Sequence, residues 1–393
     1  MRLRSQKICG EEISLKKPAA PKQKLVSRAD AKKSSTVESK AKQTGKQTPD
    51  LVKRNKEYLD TRTKGVLSFI IPVCIVGFFF WTEPKVRDQC FGADANKAWL
   101  DAARITGLYF FLWACKEVCL NLFKYWLMVK QFGISHEHFL LIIGPRGKWD
   151  GSEIPLLVET YTAERIKVMD AISRRAGHTL INISRIYFYT SIATTNQLRL
   201  MTAILQLPVI SSLKFLTESG NNCKDLGRFV FQGSRVMDGQ YGRFNLVVVN
   251  FWAYAGRIIM FQMLISRGTE EQLSSALFML AFQPLLWGDT FGEVIGSFFG
   301  KNQFKVYGLG EVNKKSVEGT FAVFLSSFLS MIFVFYYLSD STVHDQFGHP
   351  IFVFFYTSVI ASIVEAAAPR STDNFFLETG CLWLLLSSLT SST

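Results

Sequence analysis

The chain has 393 residues and a net charge of +13, and 48% of its residues are hydrophobic and 14% aromatic. Apolar runs of about 17 to 22 residues recur along it, a length that spans a bilayer. This composition argues against a soluble domain and predicts an all-α, polytopic transmembrane helical bundle with about 8–9 spans. It predicts no nucleic-acid partner and leaves the oligomeric state open.

Residues 1–65 carry most of the net positive charge, are rich in Lys and Ser, and have no periodic apolar pattern. Such a composition predicts a disordered basic tail, which we expect to stay in the cytosol. The tail either attracts an anionic membrane surface or is a solvated segment that fixes topology, and the second interpretation is simpler. The seven cysteines show no metal-ligand spacing, so we assign no disulfide and no zinc.

Three regions follow the tail. Residues 66–130 are predicted to form an N-terminal membrane hairpin. Residues 131–173 have a mixed composition and are predicted to form a cytosolic linker with an amphipathic helix. Residues 174–393 are predicted to form the functional transmembrane domain. The predicted spans are residues 66–81, 105–129, 179–194, 198–216, 244–265, 273–291, 321–338, 351–367 and 375–389.

Glycine recurs at every fourth position late in the chain, which predicts a helix with a bare ridge along one side. The glycines are Gly288, Gly292, Gly296 and Gly300. Small residues at this spacing are common packing faces between membrane helices, and packing alone would explain them. Packing does not require Asp289 and Glu293, which share one helix face beside the ridge. Carboxylates at the end of a membrane helix must be paired, solvated or bound to a cation.

A polar segment with Lys314 and Lys315 leads into the next apolar run, and Ser316 is a natural N-cap for its helix. Backbone N–H groups at a helix start, with lysines nearby, form an anion site, and Gly319 would allow close approach. The alternative is a solvated basic loop. The spacing is not that of a Walker phosphate-binding loop.

Two further polar clusters flank apolar runs. Arg175 and His178 either belong to a membrane-flanking basic cluster or line a phosphate site. Glu365 lies within an apolar run, where a carboxylate indicates function by default. Asp373 and Asn374 are either a turn with a helix cap or a source of oxygen ligands. Magnesium bound with phosphates uses one or two carboxylates, for which Asp289 is the first choice.

Taken in order, these motifs resemble the CTP-dependent lipid kinases. That family comprises the dolichol kinases, the phytol and farnesol kinases and the CTP-using diacylglycerol kinase, and it is similar to the CDP-diacylglycerol synthases. The resemblance extends from about residue 173 to the C-terminus. Its motifs are Arg174-Arg175-x-x-His178, the glycine ridge with Asp289 and Glu293, Lys315 to Gly319, and Glu365 followed by Asp373-Asn374.

The resemblance implies transfer of the γ-phosphate of CTP to the hydroxyl of a lipid alcohol, with Mg²⁺ as cofactor, in a membrane that we expect to be the endoplasmic reticulum or another organelle. The implied catalytic residues are Asp289, Glu293, Glu365 and Asp373. The implied phosphate-binding residues are Lys314, Lys315, Ser316, Gly319, Arg175, His178, Gly292 and Gly296. The implied metal ligands are Asp289, Asp373 and Asn374. A CDP-lipid synthase and a non-catalytic membrane protein remain the alternatives, and the lipid is open.

Overall fold

The computed structural model describes residues 61–93, 95–143, 154–219, 239–308, 312–369 and 372–390. Residues 1–60 of the predicted disordered tail lie outside the described residues. Within the described ranges the chain is mostly helical, as predicted.

The N-terminal half of the described chain contains seven α-helices, of which the third and the sixth are extended by the π-helical turns Trp126–Gln131 and Phe188–Ile192. They are α1 Thr61–Thr82, α2 Pro84–Phe91, α3 Ala95–Tyr125, α4 His136–Ile143, α5 Ile154–Tyr161, α6 Ala163–Tyr187 and α7 Asn196–Ser219. The amphipathic helix predicted for the linker is divided between α5 and α6 at Thr162, whose φ of 64° lies in the left-handed region. Helix α6 then continues without a break, so the predicted boundary between residues 173 and 174 lies inside it.

The C-terminal half adds seven more described helices. They are α8 Gly239–Arg267, α9 Glu271–Gln283, α10 Asp289–Phe299, α11 Val317–Phe333, α12 Ser341–His344, α13 Pro350–Ala367 and α14 Asp373–Ser387. A π-helical turn, Pro284–Gly288, joins α9 to α10, and a second, Val334–Leu338, extends α11.

The prediction of an all-α fold needs one correction. The segment expected to be a polar loop contains two antiparallel strands, β1 Gln303–Tyr307 and β2 Val312–Ser316. In β1 the side chain of Val306 is buried while its neighbours Lys305 and Tyr307 are exposed. This two-residue alternation is what a strand with one covered face shows, and the segment is too short for the pattern to stand out in the sequence.

Five described helices are long and apolar enough to cross a membrane. They are Gly65–Thr82, Ala95–Gln131, Val247–Arg267, Val317–Leu338 and Pro350–Ala367. The four other predicted spans fall on parts of α6, α7, α9 with α10, and α14. By length and composition, these helices are too short or too polar to be candidate membrane spans. The structure therefore supports a multi-pass membrane protein with five candidate spans.

Helix α8 is the axis of the bundle. In its span Val247–Arg267, 78% of the residues are buried, compared with 11% in the span of α1. Helices α1, α7 and α14 pack against α8, and the main apolar core includes its residues Ile258 and Phe261. The outer helices expose large apolar side chains such as Phe111 and Leu329, as lipid-facing surfaces do.

A buried arginine connects three helices at one end of the bundle. Arg199, near the start of α7, donates to the backbone oxygens of Tyr189, Ala193 and Thr194. Its guanidinium also donates to the side chains of Asn196, Glu271 and Ser275. It therefore closes the turn between α6 and α7 and ties both helices to the start of α9.

We expect Arg199→Met to lower the free energy of unfolding by about 2–4 kcal/mol, because several buried carbonyl oxygens lose their donor. The measurement is thermal unfolding of the detergent-solubilised protein. The matched control is Arg104→Met, since Arg104 is exposed and, among the described residues, pairs with Asp101 of the same helix. We expect it to change stability by less than about 0.5 kcal/mol. Equal effects of the two substitutions would contradict the assignment.

Candidate functional site

The glycine ridge of α10 packs directly against α11. A Cβ atom on Gly292 would lie 2.5 Å from Cγ2 of Val323, and one on Gly296 would lie 3.0 Å from Oγ of Ser316. A Cβ atom on Gly319 would lie 2.8 Å from the backbone oxygen of Gly292. Helix packing therefore accounts for these glycines. The bare sides of Gly292 and Gly296 face α11 and are not open to a phosphate, contrary to the role that we expected for them.

The carboxylates of α10 face two arginines of α6. Arg175 Nη1 donates to Asp289 Oδ2 at 2.8 Å, and the same guanidinium contacts Glu293 through Nη2. Arg174 Nη1 donates to Glu293 Oε1 at 3.0 Å. Charge-assisted hydrogen bonds of this kind are about twice as strong as neutral ones. Asp289 and Glu293 are therefore held by cations from a helix more than a hundred residues away in sequence.

His178 lies one turn after this arginine pair and faces the same carboxylate. Its Nε2 is 3.6 Å from Oδ2 of Asp289, and Asn182 of the next turn lies 3.2 Å from the ring. Burial lowers the pKa of His178 to about 3; Asp289 opposes this shift, and the neighbouring arginines add to it. The imidazole is therefore neutral at physiological pH. In this form it can donate or accept a hydrogen bond.

The two lysines of β2 point in opposite directions because successive residues of a strand face opposite sides. Lys315 turns inward, where Nζ donates to Oε1 of Glu365 at 2.8 Å and also contacts the backbone oxygen of Glu365. Lys314 is exposed. Burial opposes the charge on Lys315, but Glu365, Asp373 and Asp289 outweigh it and raise its pKa. Only one of the two predicted lysines therefore belongs to the cluster.

The prediction that Ser316 caps the following helix is confirmed. Ser316 is the N-cap of α11, and its Oγ accepts a hydrogen bond from the backbone N–H of Gly319 at 3.1 Å. That N–H is consequently occupied by the cap and does not face a ligand. Of the residues expected to bind phosphate here, Ser316 and Gly319 serve to start the helix and pack it against α10.

Asp373 stands in the first turn of α14, and its Oδ1 accepts from the backbone N–H of Asn374 at 3.0 Å. Burial raises the pKa of Asp373, Lys315 opposes this shift, and Asp289 adds to it. A carboxyl group whose pKa is raised is a better proton acceptor at neutral pH than an ordinary aspartate. Asp373 thus joins the same electrostatic cluster as the α10 carboxylates.

Five elements therefore meet at one end of the bundle: α6, α10, β2, α13 and α14. The next candidate span begins at Val317, directly after β2, and another ends at Ala367, two residues after Glu365. The cluster therefore lies at the ends of two candidate membrane spans. We call it the boundary cluster, and it combines four carboxylates with three cationic side chains. Its members are Asp289, Glu293, Glu365, Asp373, Arg174, Arg175, Lys315 and the neutral His178.

In the part of the chain that the structure describes, no three His, Cys, Asp or Glu side chains form a group that could hold a metal ion unaided. Asp289 and Asp373 nevertheless interact as like charges. A cation placed between them would relieve that repulsion, and magnesium commonly takes one or two carboxylates while phosphates and waters complete its shell. The donors present therefore fit a magnesium ion that arrives with phosphates, rather than a preformed protein cage.

Sequence reasoning missed two features of this site. Arg174 is as much a partner of Glu293 as Arg175 is, and its position beside Arg175 was the available signal. The sequence favours Lys315 over Lys314 as a phosphate ligand because Lys315 directly precedes Ser316. It did not predict the strand β2 that turns Lys315 inward and leaves Lys314 exposed, although residues 303–307 gave a weak alternating pattern.

No protein-family model, no curated protein and no solved structure matches this chain. The site is therefore interpreted from its own chemistry.

We expect Gly292→Ala to destabilise the protein by about 1–3 kcal/mol, because the new methyl group would overlap the side chain of Val323. Val323→Ala should restore much of that loss in the double variant, since it removes the overlapping atoms. A double-mutant cycle of thermal unfolding measures the coupling. Gly107→Ala is the control, as nothing lies within 4 Å of a Cβ atom there. Additive effects would show that Gly292 does not pack on Val323.

Proposed function

We propose that this protein is a membrane lipid kinase. It transfers the γ-phosphate of a nucleotide, by resemblance CTP, to the hydroxyl group of a lipid alcohol. The observation that carries the proposal is the boundary cluster, in which carboxylates, arginines and a lysine from five elements meet at the ends of two candidate membrane spans. A phosphate donor from water and a hydroxyl from the bilayer can both reach that location.

Phosphoryl transfer requires mainly positioning and charge neutralisation. The cationic groups Arg174, Arg175 and Lys315 supply that neutralisation, and all three now pair with carboxylates. A guanidinium binds phosphate and carboxylate in the same bidentate geometry. The arginines would therefore exchange Asp289 and Glu293 for phosphate oxygens when the nucleotide binds, which frees the two carboxylates.

On the acceptor side, Asp373 and Glu365 are the candidate groups to orient the lipid hydroxyl. The hydroxyl oxygen forms a bond to the γ-phosphorus, the bond between that phosphorus and the bridging oxygen breaks, and the nucleoside diphosphate leaves. The hydroxyl proton passes to a carboxylate, for which Asp373 is suited because its pKa is raised. Lys315, paired with Glu365, lies where it can bind the transferred phosphoryl group.

Asp289, with Asp373 or Glu293, would hold Mg²⁺ together with the nucleotide phosphates. When bound, the ion would supply charge neutralisation of those phosphates. Asn374, which we expected to be a third ligand, offers an amide oxygen beside Asp373 in the same turn.

We further propose about eight or nine membrane crossings, with α6, α7, α9 with α10, and α14 completing the five candidate spans. Helices with polar faces can cross when those faces lie inside the bundle, and α7 packs on α8 in this way. The boundary cluster would then face the cytosol, where nucleoside triphosphates are found. The endoplasmic reticulum is the membrane that we propose.

The decisive experiment incubates the purified protein with γ-labelled CTP or ATP, Mg²⁺ and a panel of lipids that contains both lipid alcohols and lipid phosphates, since only a lipid phosphate can become a CDP-lipid. Labelled lipid together with free CDP supports the kinase. Release of pyrophosphate and formation of a CDP-lipid would instead support a cytidylyltransferase. The absence of any product with every lipid and nucleotide would contradict the proposal.

We expect Asp289→Asn to lower the transfer rate by at least about a hundredfold, as the loss of one preorganised electrostatic group does. The amide keeps the size of the side chain and can still accept from Arg175, and Glu293 still pairs with that guanidinium. The variant should therefore stay folded, with an unfolding temperature lowered by the loss of one charge of a buried pair. Asp101→Asn on the exposed face of α3 is the control. Normal turnover by Asp289→Asn, or full activity in excess chelator, would refute the assigned role.

We expect Lys315→Ala to raise the KM for the nucleotide about ten- to a hundredfold, the effect of losing one charge-assisted hydrogen bond of roughly 1.5–3 kcal/mol. Lys314→Ala is the matched control, because its side chain is exposed on the other face of β2, and a solvated lysine contributes far less. The measurement is nucleotide KM and kcat at low and moderate salt. Similar effects of both substitutions would show that β2 does not orient Lys315 toward the phosphates.

A further inference from the structure

A second charged cluster lies in the interior of the bundle and takes no part in the chemistry described above. Arg257 of α8 and Glu378 of α14 are both 0% exposed, and Arg257 Nη2 donates to Glu378 Oε1 at 3.4 Å. The guanidinium carbon of Arg257 lies 4.6 Å from the centre of the Tyr254 ring, and that of Arg185 of α6 lies 5.7 Å from the same centre. We call Arg185, Tyr254, Arg257 and Glu378 the core cluster.

The core cluster has more hydrogen-bond donors than acceptors. In the described part of the chain, Nε and Nη1 of Arg257 and Nε of Arg185 have no hydrogen-bond partner, and neither does Oε2 of Glu378. Buried polar groups without partners are costly, and those of charged side chains most of all. Groups at these positions therefore require a ligand or water that supplies acceptors.

The core cluster and the boundary cluster differ in the kind of charged group that is in excess. The core cluster has two cations and one carboxylate, whereas the boundary cluster has four carboxylates and three cations. Arg185 also interacts electrostatically with His178 of the boundary cluster. Because three of the four unpaired atoms are N–H donors, the missing partner of the core cluster must accept hydrogen bonds, as a carbonyl oxygen does.

The core cluster lies deeper in the membrane than the boundary cluster and is continuous with it. Arg185 is seven residues after His178 on α6, which is about 10 Å along a helix, and Glu378 is about 7–8 Å beyond Asp373 on α14. Asn182 links the two, since its amide lies 3.2 Å from His178 and its oxygen accepts from Arg185 at 3.1 Å. Arg257 is midway along its span.

We infer that the core cluster binds the ester carbonyl oxygens of a glycerolipid, so that the acceptor is an acylglycerol rather than an isoprenoid alcohol. The inference rests on the proposed function. With the free hydroxyl at Asp373, the ester groups follow a few atoms deeper, where Arg257 and Arg185 present their unpaired donors. An isoprenoid alcohol has no acceptor beyond its hydroxyl and would leave those donors unpaired, and sites built for hydrogen bonds reject such analogues strongly.

A purely structural ion pair would behave differently under substitution. Replacing both members of a buried pair by apolar residues of similar size is often neutral or stabilising, whereas removing only one leaves a buried charge. The double variant Arg257→Met with Glu378→Leu therefore retains the fold and removes the donors. Thr357→Val is the control, because it removes a buried hydroxyl of α13 that has no hydrogen-bond partner among the described residues, and α13 carries no member of the core cluster.

The test measures the unfolding temperature in detergent with dioleoylglycerol or with farnesol at equal concentrations. A ligand that binds only the folded state raises that temperature. We expect dioleoylglycerol to stabilise the wild type and Thr357→Val more than farnesol does, and the double variant to lose this difference. In kinase assays the KM for dioleoylglycerol should rise about ten- to a hundredfold in the double variant.

The outcomes separate this inference from the proposed function. Stabilisation by dioleoylglycerol that depends on Arg257 and Glu378, without phosphoryl transfer, would support the ester site and refute the kinase. Phosphoryl transfer with farnesol preferred to dioleoylglycerol, or with equal KM values in the wild type and the folded double variant, would support the kinase and overturn the ester site. Water would then be the partner of the core cluster.

Discussion

Charge at the edge of hydrocarbon has to be neutralised, and this requirement governs how the helices are arranged. Asp289 and Glu293 of α10 are neutralised by Arg174 and Arg175 of α6, and Glu365 of α13 is neutralised by Lys315 of β2. Each pair joins elements that are distant in sequence. The attraction is strong because the surroundings exclude much of the water that would screen it. The pairs therefore fix the ends of helices whose remaining contacts are apolar and weakly directional.

The close approach of α10 and α11 determines where the groups of the site lie. Only glycine at positions 292 and 296 lets the backbone of α10 approach Gly319 and Val323, and Ser316 fits between them as the cap of α11. Because β2 ends at that cap, the orientation of Lys315 follows from the packing of the two helices. The glycine ridge thus positions the charged groups without contacting a ligand itself.

Charged side chains lie deep inside the bundle, at positions where helix packing alone does not require them. A buried arginine–glutamate pair is weak evidence for stability, since apolar residues often serve as well. Its presence on the two helices that form the core of the bundle, with donors left unpaired, indicates a role in binding. Arg199, by contrast, is fully satisfied by carbonyl and side-chain oxygens and fits a purely structural role. The number of unpaired donors is what separates the two arginines.

The sequence by itself determined the mostly helical fold, five candidate membrane spans, the capping role of Ser316 and the residue types of the site. Runs of apolar residues and a Ser before such a run are local patterns, and local patterns can be read in one dimension. Only the tertiary structure decided which charged groups pair. Arg174 and Arg175 bind Asp289 and Glu293, and Arg257 binds Glu378. It also showed that Lys315 faces inward because it lies on a strand, while Lys314 does not. Partners more than a hundred residues apart are chosen by packing, and the direction of a lysine by a strand of five residues. Long-range pairing leaves no local trace in the chain, and the alternation in residues 303–307 is too short and too weak to have predicted the strand.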